Sequence, residues 1–172
     1  HSIVESYATI KPNVKIWPDK YIEQGAELDG NLVWGSKAGR QIFGNRGVSG
    51  EINTDITPEF AAKLGAAYGA AFAKKGAVGV CCDDSPASSM IKSALISGLA
   101  SAGIRVNDFG RLLIPAMRYA IRFFKLNGGI CINSSNSSNS RIMIDFFDKK
   151  GSNIDRNTER KIENAFLRED FN

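Results

Sequence analysis

Apolar residues at Val4, Ile10, Ile16, Ile22, Leu28 and Trp34 recur at a strict interval of six, and few backbones can satisfy that period. A helix needs apolar positions three and four apart, and a flat strand needs them two apart. A β-solenoid satisfies six: each unit supplies one short strand and a turn, with its aliphatic residue pointing into the coil. Turn formers fill the intervals, at Pro12-Asn13, Pro18-Asp19, Gly25 and Gly30. A single coil cannot bury its own face without neighbours, so residues 1–35 read as the end of a longer hexapeptide β-helix.

Residues 36–50 are glycine-rich and aperiodic. They read as a linker passing into a first strand at Gln41–Phe43, with a tight turn at Gly44–Gly50. Over residues 51–172 the pattern changes to alternating helices and strands. Thr57-Pro58-Glu59 supplies an N-cap and a proline in the first helical position. Phe60, Leu64, Ala67 and Ala71 then mark one helical face, and Gly76 ends that helix. Ala77–Cys82 is an unbroken apolar run suited to a strand buried on both faces. Asp84-Ser85-Pro86 opens a second helix, and Ile104–Phe109 a further strand. A third helix spans Ile114–Lys125, and strands follow at Ile130–Ile132 and Arg141–Phe147. A last amphipathic helix is capped near Asn157 or Thr158. This order predicts an α/β fold, a three-layer α/β/α mixed sheet joined by right-handed crossovers. Ligands of such sheets lie beyond the carboxyl ends of the strands, which selects two loops, Asp83–Ser89 and Asn133–Ser140.

Composition narrows the function. The formal net charge of +4 is spread along the chain, with no basic stripe interleaved with aromatics, so no nucleic-acid partner is expected. No apolar run approaches the roughly 18 residues of a membrane span, and no membrane partner is expected. The single histidine, His1, excludes a histidine-based triad or zinc site. Cys81, Cys82 and Cys131 all sit in apolar runs, which reads as buried, reduced thiols in a cytoplasmic protein.

The motifs at the two loops resemble the first domain of the phosphohexomutases, the phosphoglucomutase/phosphomannomutase family. Phe43-Gly44-Asn45-Arg46-Gly47-Val48-Ser49-Gly50 is similar to that family's FGTDGIRG turn. Asp84-Ser85 with Ser88-Ser89 stands where the family has GRDTRxSS. Gly128-Gly129-Ile130-Cys131-Ile132 leads into the position of its TASHNP loop, and Phe146-Phe147-Asp148-Lys149-Lys150-Gly151 matches its FFDxxG exit. The resemblance implies a loop serine that carries a phosphoryl group to and from a sugar phosphate, and it places Ser135 on that serine. Asn133, Asn136, Ser137, Asp84, Ser85, Ser88 and Ser89 become the implied phosphate- or sugar-binding loop residues. The supporting groups differ, however. Asn136 replaces the family's histidine and Ser137 its asparagine; Ser49 replaces an arginine, and Asp83 and Pro86 replace two more. Asp145 stands in place of a lysine, reversing the charge. Phosphoryl transfer depends on positioning and on cations that balance the transferring oxygens. The expectation is therefore a worn, non-catalytic loop, with transfer through Ser135 as the alternative. An aspartate near a phosphate would add repulsion.

Lys15-Ile16-Trp17-Pro18-Asp19-Lys20, Trp34-Gly35 and Phe43-Gly44 with Val48-Ser49-Gly50 resemble the junction of fused sugar-nucleotide enzymes, and the tail from Glu159 to Phe171 also resembles that fused group. In those, a nucleotidyltransferase region of the mannose-1-phosphate guanylyltransferase kind precedes a left-handed hexapeptide β-helix and a phosphomannomutase-like region. The resemblance implies a nucleotidyltransferase region and further mutase-like domains as partners in the same polypeptide. It also implies a sugar phosphate as ligand, and assembly or sensing as the role. Magnesium is expected only with the later domains, so neither a metal site nor a cofactor is assigned here. Hexapeptide coils often form trimers, which leaves a homo-oligomer open.

Overall fold

The computed structural model describes residues 2–18, 20–22, 24–28, 37–38, 42–44, 46–72, 76–134 and 141–168. Five two-residue strands come first: β1 Ile3–Val4, β2 Thr9–Ile10, β3 Tyr21–Ile22, β4 Glu27–Leu28 and β5 Lys37–Ala38. β1 pairs in parallel with β3 in the register Ile3↔Tyr21, and β2 with β4 in the register Thr9↔Glu27. Both offsets are 18 residues, three six-residue units. The next pairing, Tyr21↔Lys37, is offset by 16, two residues short of that repeat. Left-handed backbone recurs at Tyr7 (φ 63°), Asn13 (φ 67°) and Gly25 (φ 71°), at multiples of six, so corners and strands share one period. Ile22, Ala26 and Leu28 form a small buried core, against which Ala8, Val14 and Ile16 pack in part. Val4 and Ile10 depart from the inward-pointing expectation: they are 49% and 39% exposed, with a described coil stacked on one side only, through Ile22 and Leu28. Trp34 lies outside the described residues.

The larger unit is a five-stranded sheet with β6 Val48–Glu51, β7 Ala77–Cys82, β8 Arg105–Arg111, β9 Gly128–Ser134 and β10 Arg141–Asp148, in the order β6-β10-β9-β7-β8. β7 runs parallel to β8 and β9, whereas β10 is antiparallel to β9 and β6, which makes the sheet mixed. α1 Pro58–Phe72, α2 Pro86–Ser101 and α4 Arg156–Arg168 cover one face, where Leu64, Tyr68, Leu95, Leu99 and Ile162 meet Val78, Val80, Ile130, Ile132 and Ile144. α3 Ile114–Phe123 covers the other through Met117 and Ile121, which pack with Cys81, Cys131 and Phe147. Gly79 and Gly129 lie side by side in the register, and a Cβ on either would enter the side chain of Met117. The bare pair lets α3 sit close on the sheet. Among the described residues no helix is long and apolar enough to cross a membrane.

Several boundaries differ from the sequence expectation. Ile42 and Phe43 are not strand: both N–H groups donate to Glu163 Oε1 of α4, at 2.8 and 3.0 Å, which takes them away from any ladder. Gln41 lies outside the described residues. The turn closes sooner, with Gly44 N–H donating to Gly47 O at 2.8 Å, so Val48–Gly50 belong to β6. The first helix is described through Phe72, and residues 73–75 lie outside the described residues. The last helix is capped by Asp155, whose Oδ1 accepts the Thr158 N–H at 2.8 Å, rather than by Asn157 or Thr158.

Candidate functional site

Because β7 and β9 are parallel neighbours, their carboxyl ends open at the same edge of the sheet. β7 passes through Asp83-Asp84-Ser85 into α2, while β9 ends at Ser134 and leads to residues 135–140. One carboxylate ties the two exits together. Asp83 Oδ2 accepts the Ser134 N–H at 2.6 Å and the Ser134 hydroxyl at 2.7 Å, and Oδ1 accepts the Ser85 N–H at 3.0 Å. The Asp83 N–H donates to Ile132 O at 3.1 Å, extending the β7–β9 ladder by one position. Burial pushes the Asp83 carboxyl up. The Ser134 N–H and hydroxyl and the Ser85 N–H outweigh that and hold it below the ordinary aspartate value. At neutral pH the mouth of the loop therefore carries a fixed negative charge.

The residues selected from sequence fall into distinct places. Ser135, Asn136 and Ser137 lie outside the described residues. Asn133 is not a loop residue: it is the penultimate residue of β9, opposite Met143, and its Nδ2 is buried without an acceptor among the described residues. Ser85 is the N-cap of α2 with extended backbone (φ −67°, ψ 131°), and its side chain makes no capping bond. Ser88 is fully buried near Asp83, and its hydroxyl has no hydrogen-bond partner among the described residues. Asp84 and Ser89 are exposed, and the Ser89 N–H already donates to Ser85 O at 3.0 Å. The first turn of α2 contains no acidic side chain, and such a turn can receive an anion. Here the chain's own Asp83 takes the Ser85 N–H. Sequence reasoning missed Ser134 and the bridging role of Asp83. The available signal was an ionisable residue placed directly between an apolar strand and a helix start.

Asp145, expected from sequence as a reversed charge near the loop, lies within the sheet on β10. It is 1% exposed and lies opposite Cys131, whereas Ser134 lies opposite Ile142; the three positions between amount to about 10 Å of strand. Its charge is matched: Arg46 Nε donates to Oδ1 at 3.0 Å and Arg46 Nη2 to Oδ2 at 3.3 Å. The fork geometry suits a guanidinium, and it neutralises a carboxylate that would otherwise be buried alone. A second cation is also engaged internally: Lys92 Nζ donates to both oxygens of Asp108, at 2.8 and 2.9 Å. Both cations are thus paired with carboxylates of the sheet.

The description "Phosphoglucomutase/phosphomannomutase, alpha/beta/alpha domain I" matches residues 40–172. A phosphoglucomutase/phosphomannomutase from Thermococcus kodakarensis is 36% identical over 135 residues, covering 76% of this chain and 30% of that protein. A phosphoglucosamine/phosphogalactosamine mutase from Sulfurisphaera tokodaii is 35% identical over 132 residues, covering 77% of this chain and 29% of that protein. Among solved structures, a Thermus thermophilus protein classed as a phosphomannomutase superposes with a TM-score of 0.66 at 27% identity, covering 71% of this chain and 29% of that one. A Burkholderia thailandensis protein of the phosphoglucomutase/phosphomannomutase family has the same fold, with a TM-score of 0.65 at 19% identity, covering 76% and 30%. The chain thus spans about three-tenths of the length of the curated relatives it matches.

Proposed function

The chain belongs to the phosphoglucomutase/phosphomannomutase family, and from that premise we propose that its α/β/α domain forms one wall of a sugar-phosphate cleft without performing phosphoryl transfer itself. Its role is then assembly, or sensing of a sugar phosphate, within a longer polypeptide of sugar-phosphate or sugar-nucleotide metabolism. One observation carries this reading: an ionised Asp83 sits at the mouth of the loop, bonded to the residue before Ser135. A transferring phosphoryl group needs cations or donors there. The nearby donors of Ser85 and Ser134 are engaged by Asp83, and Arg46 and Lys92 are engaged by Asp145 and Asp108. A hydroxyl at Ser135 would lack the activation a nucleophile requires.

The remaining parts of the proposal concern the rest of the polypeptide. The 18-residue register and the left-handed corners support a hexapeptide β-helix at residues 1–35. The exposed Val4 and Ile10 suit cover by further coils, with a nucleotidyltransferase region beyond them. Magnesium does not fit the residues at hand. Among those described no three acidic, histidine or cysteine side chains converge, and the Asp83 and Asp108 oxygens are already bonded, so such an ion would be held by other domains. The three buried, unbridged thiols suit a reducing compartment such as the cytoplasm.

The test is mass spectrometry of the full-length polypeptide after incubation with a hexose bisphosphate. The expected result is an unmodified Ser135. Phosphate on Ser135, absent from a Ser135→Ala variant, overturns the non-catalytic reading and restores a mutase mechanism.

A further inference from the structure

Cys81 and Cys131 are directly opposite each other on the parallel neighbours β7 and β9. Parallel neighbours are about 4.8 Å apart, inside the Cα separation that a disulfide spans. Both side chains point to the α3 face, into the cluster of Met117, Ile121, Leu126 and Phe147, and both are fully buried. Their sulfurs are 2.7 Å apart, closer than two unbonded sulfurs ordinarily approach. Cys82 is excluded from the pair by the two-residue period of the strand: it points to the opposite face, with its sulfur 3.8 Å from Gly110 O. The Asp83–Ser134 tie lies just beyond the pair on the same two strands.

We propose that Cys81 and Cys131 are a modification site, joined by hydrogen peroxide into a disulfide that staples β7 to β9 below the loop. In the first step the sulfur of one deprotonated cysteine attacks a peroxide oxygen and the O–O bond breaks. This gives a sulfenic acid and hydroxide, which takes up the proton released from that thiol to become water. The second thiol's sulfur then attacks the sulfenic sulfur; the S–O bond breaks, and the departing hydroxyl takes the second thiol's proton as water. Two thiols and one peroxide thus yield one disulfide and two waters. The hydrogen bond to Cys81 and burial both push the Cys131 thiol above its ordinary value, so the reaction is slow and confined to an oxidant small enough to enter. The link closes the segment carrying α2, β8 and α3, and restricts the unfolded chain accordingly.

The experiment treats the full-length polypeptide with hydrogen peroxide, alkylates free thiols in denaturant and maps peptides without reduction. The expected product is a Cys81–Cys131 linked peptide lighter by two hydrogens, with Cys82 alkylated. The α/β domain of the oxidised protein should melt roughly 5–10 °C higher than the reduced form. Cys131→Ala, and separately Cys81→Ala in case the first variant fails to fold, should lose both the link and the shift. Three alkylated thiols after oxidation, a link through Cys82, a link between two copies, or a melting temperature that falls on oxidation would each overturn the proposal.

Discussion

Arg46 and Asp145 form one ion pair in two surroundings: the arginine side chain is 60% exposed and the aspartate side chain 2%. Removing the arginine leaves a buried carboxylate alone, whereas removing the carboxylate's charge leaves a solvated cation. Arg46→Ala should therefore lower stability by about 1–3 kcal/mol, and Asp145→Asn by less, as read from denaturant midpoints. Asp145→Lys alone sets two cations face to face and should cost more than either. The double exchange, Arg46→Asp with Asp145→Lys, should recover most of that loss. Asp83 governs the response to acid. Its folded carboxyl is held low, so in the unfolded chain it binds protons more readily. Its contribution is present above about pH 4 and disappears as pH falls through the folded value. Asp108, held low by Lys92 and the Gly110 N–H against burial, acts with the same sign. Urea midpoints between about pH 5 and pH 3 should fall less steeply in Asp83→Asn than in the parent. An unchanged slope would remove Asp83 from the account.

Among the elements, the tightest packing is between α1 and α2. A Cβ on Gly98 would strike Ala62 O, and one on Gly65 would strike Leu95 O, so the two backbones touch where each helix lacks a side chain. Alanine is ordinarily the better helix former by about 1 kcal/mol. Here Gly98→Ala should instead destabilise the domain by about 1–3 kcal/mol, because neither backbone has room to retreat. A thermal melt at unchanged or higher temperature would refute that. The same comparison of local and tertiary terms explains which elements could be read from sequence. Ala77–Cys82 is legible because a strand buried on both faces needs no polar alternation. Asn133 and Ser134 read as loop because both are polar; they are strand only because Met143 and Ile142 of β10 pair with them. Ile42 and Phe43 read as strand, yet a carboxylate 120 residues away takes their N–H groups. No local pattern encodes that contact.

Among the described residues, the core around Ile22, Ala26 and Leu28 shares no residue with the clusters on the two faces of the sheet. Calorimetry should accordingly resolve two transitions. Ile22→Ala, which empties a fully buried site, should destabilise the first by about 2–5 kcal/mol and leave the second in place. A single transition that shifts as a whole would show that the two cores fold together. At this scale the family was legible, because its motifs lie in order along one chain. The electrostatics of the candidate site were not, since Arg46 and Asp145 stand 99 residues apart and only the fold brings them together. That pair also bears on descent. The FGTDGIRG turn has an aspartate where Arg46 stands, and the family's lysine occupies the position of Asp145. The two signs are exchanged together. Either single replacement sets like charges against each other at a buried site, so a lineage crossing from one arrangement to the other passes through a defective or a neutral ancestor. A chain that carries only one of the two replacements should therefore be less stable than a chain that carries both or neither.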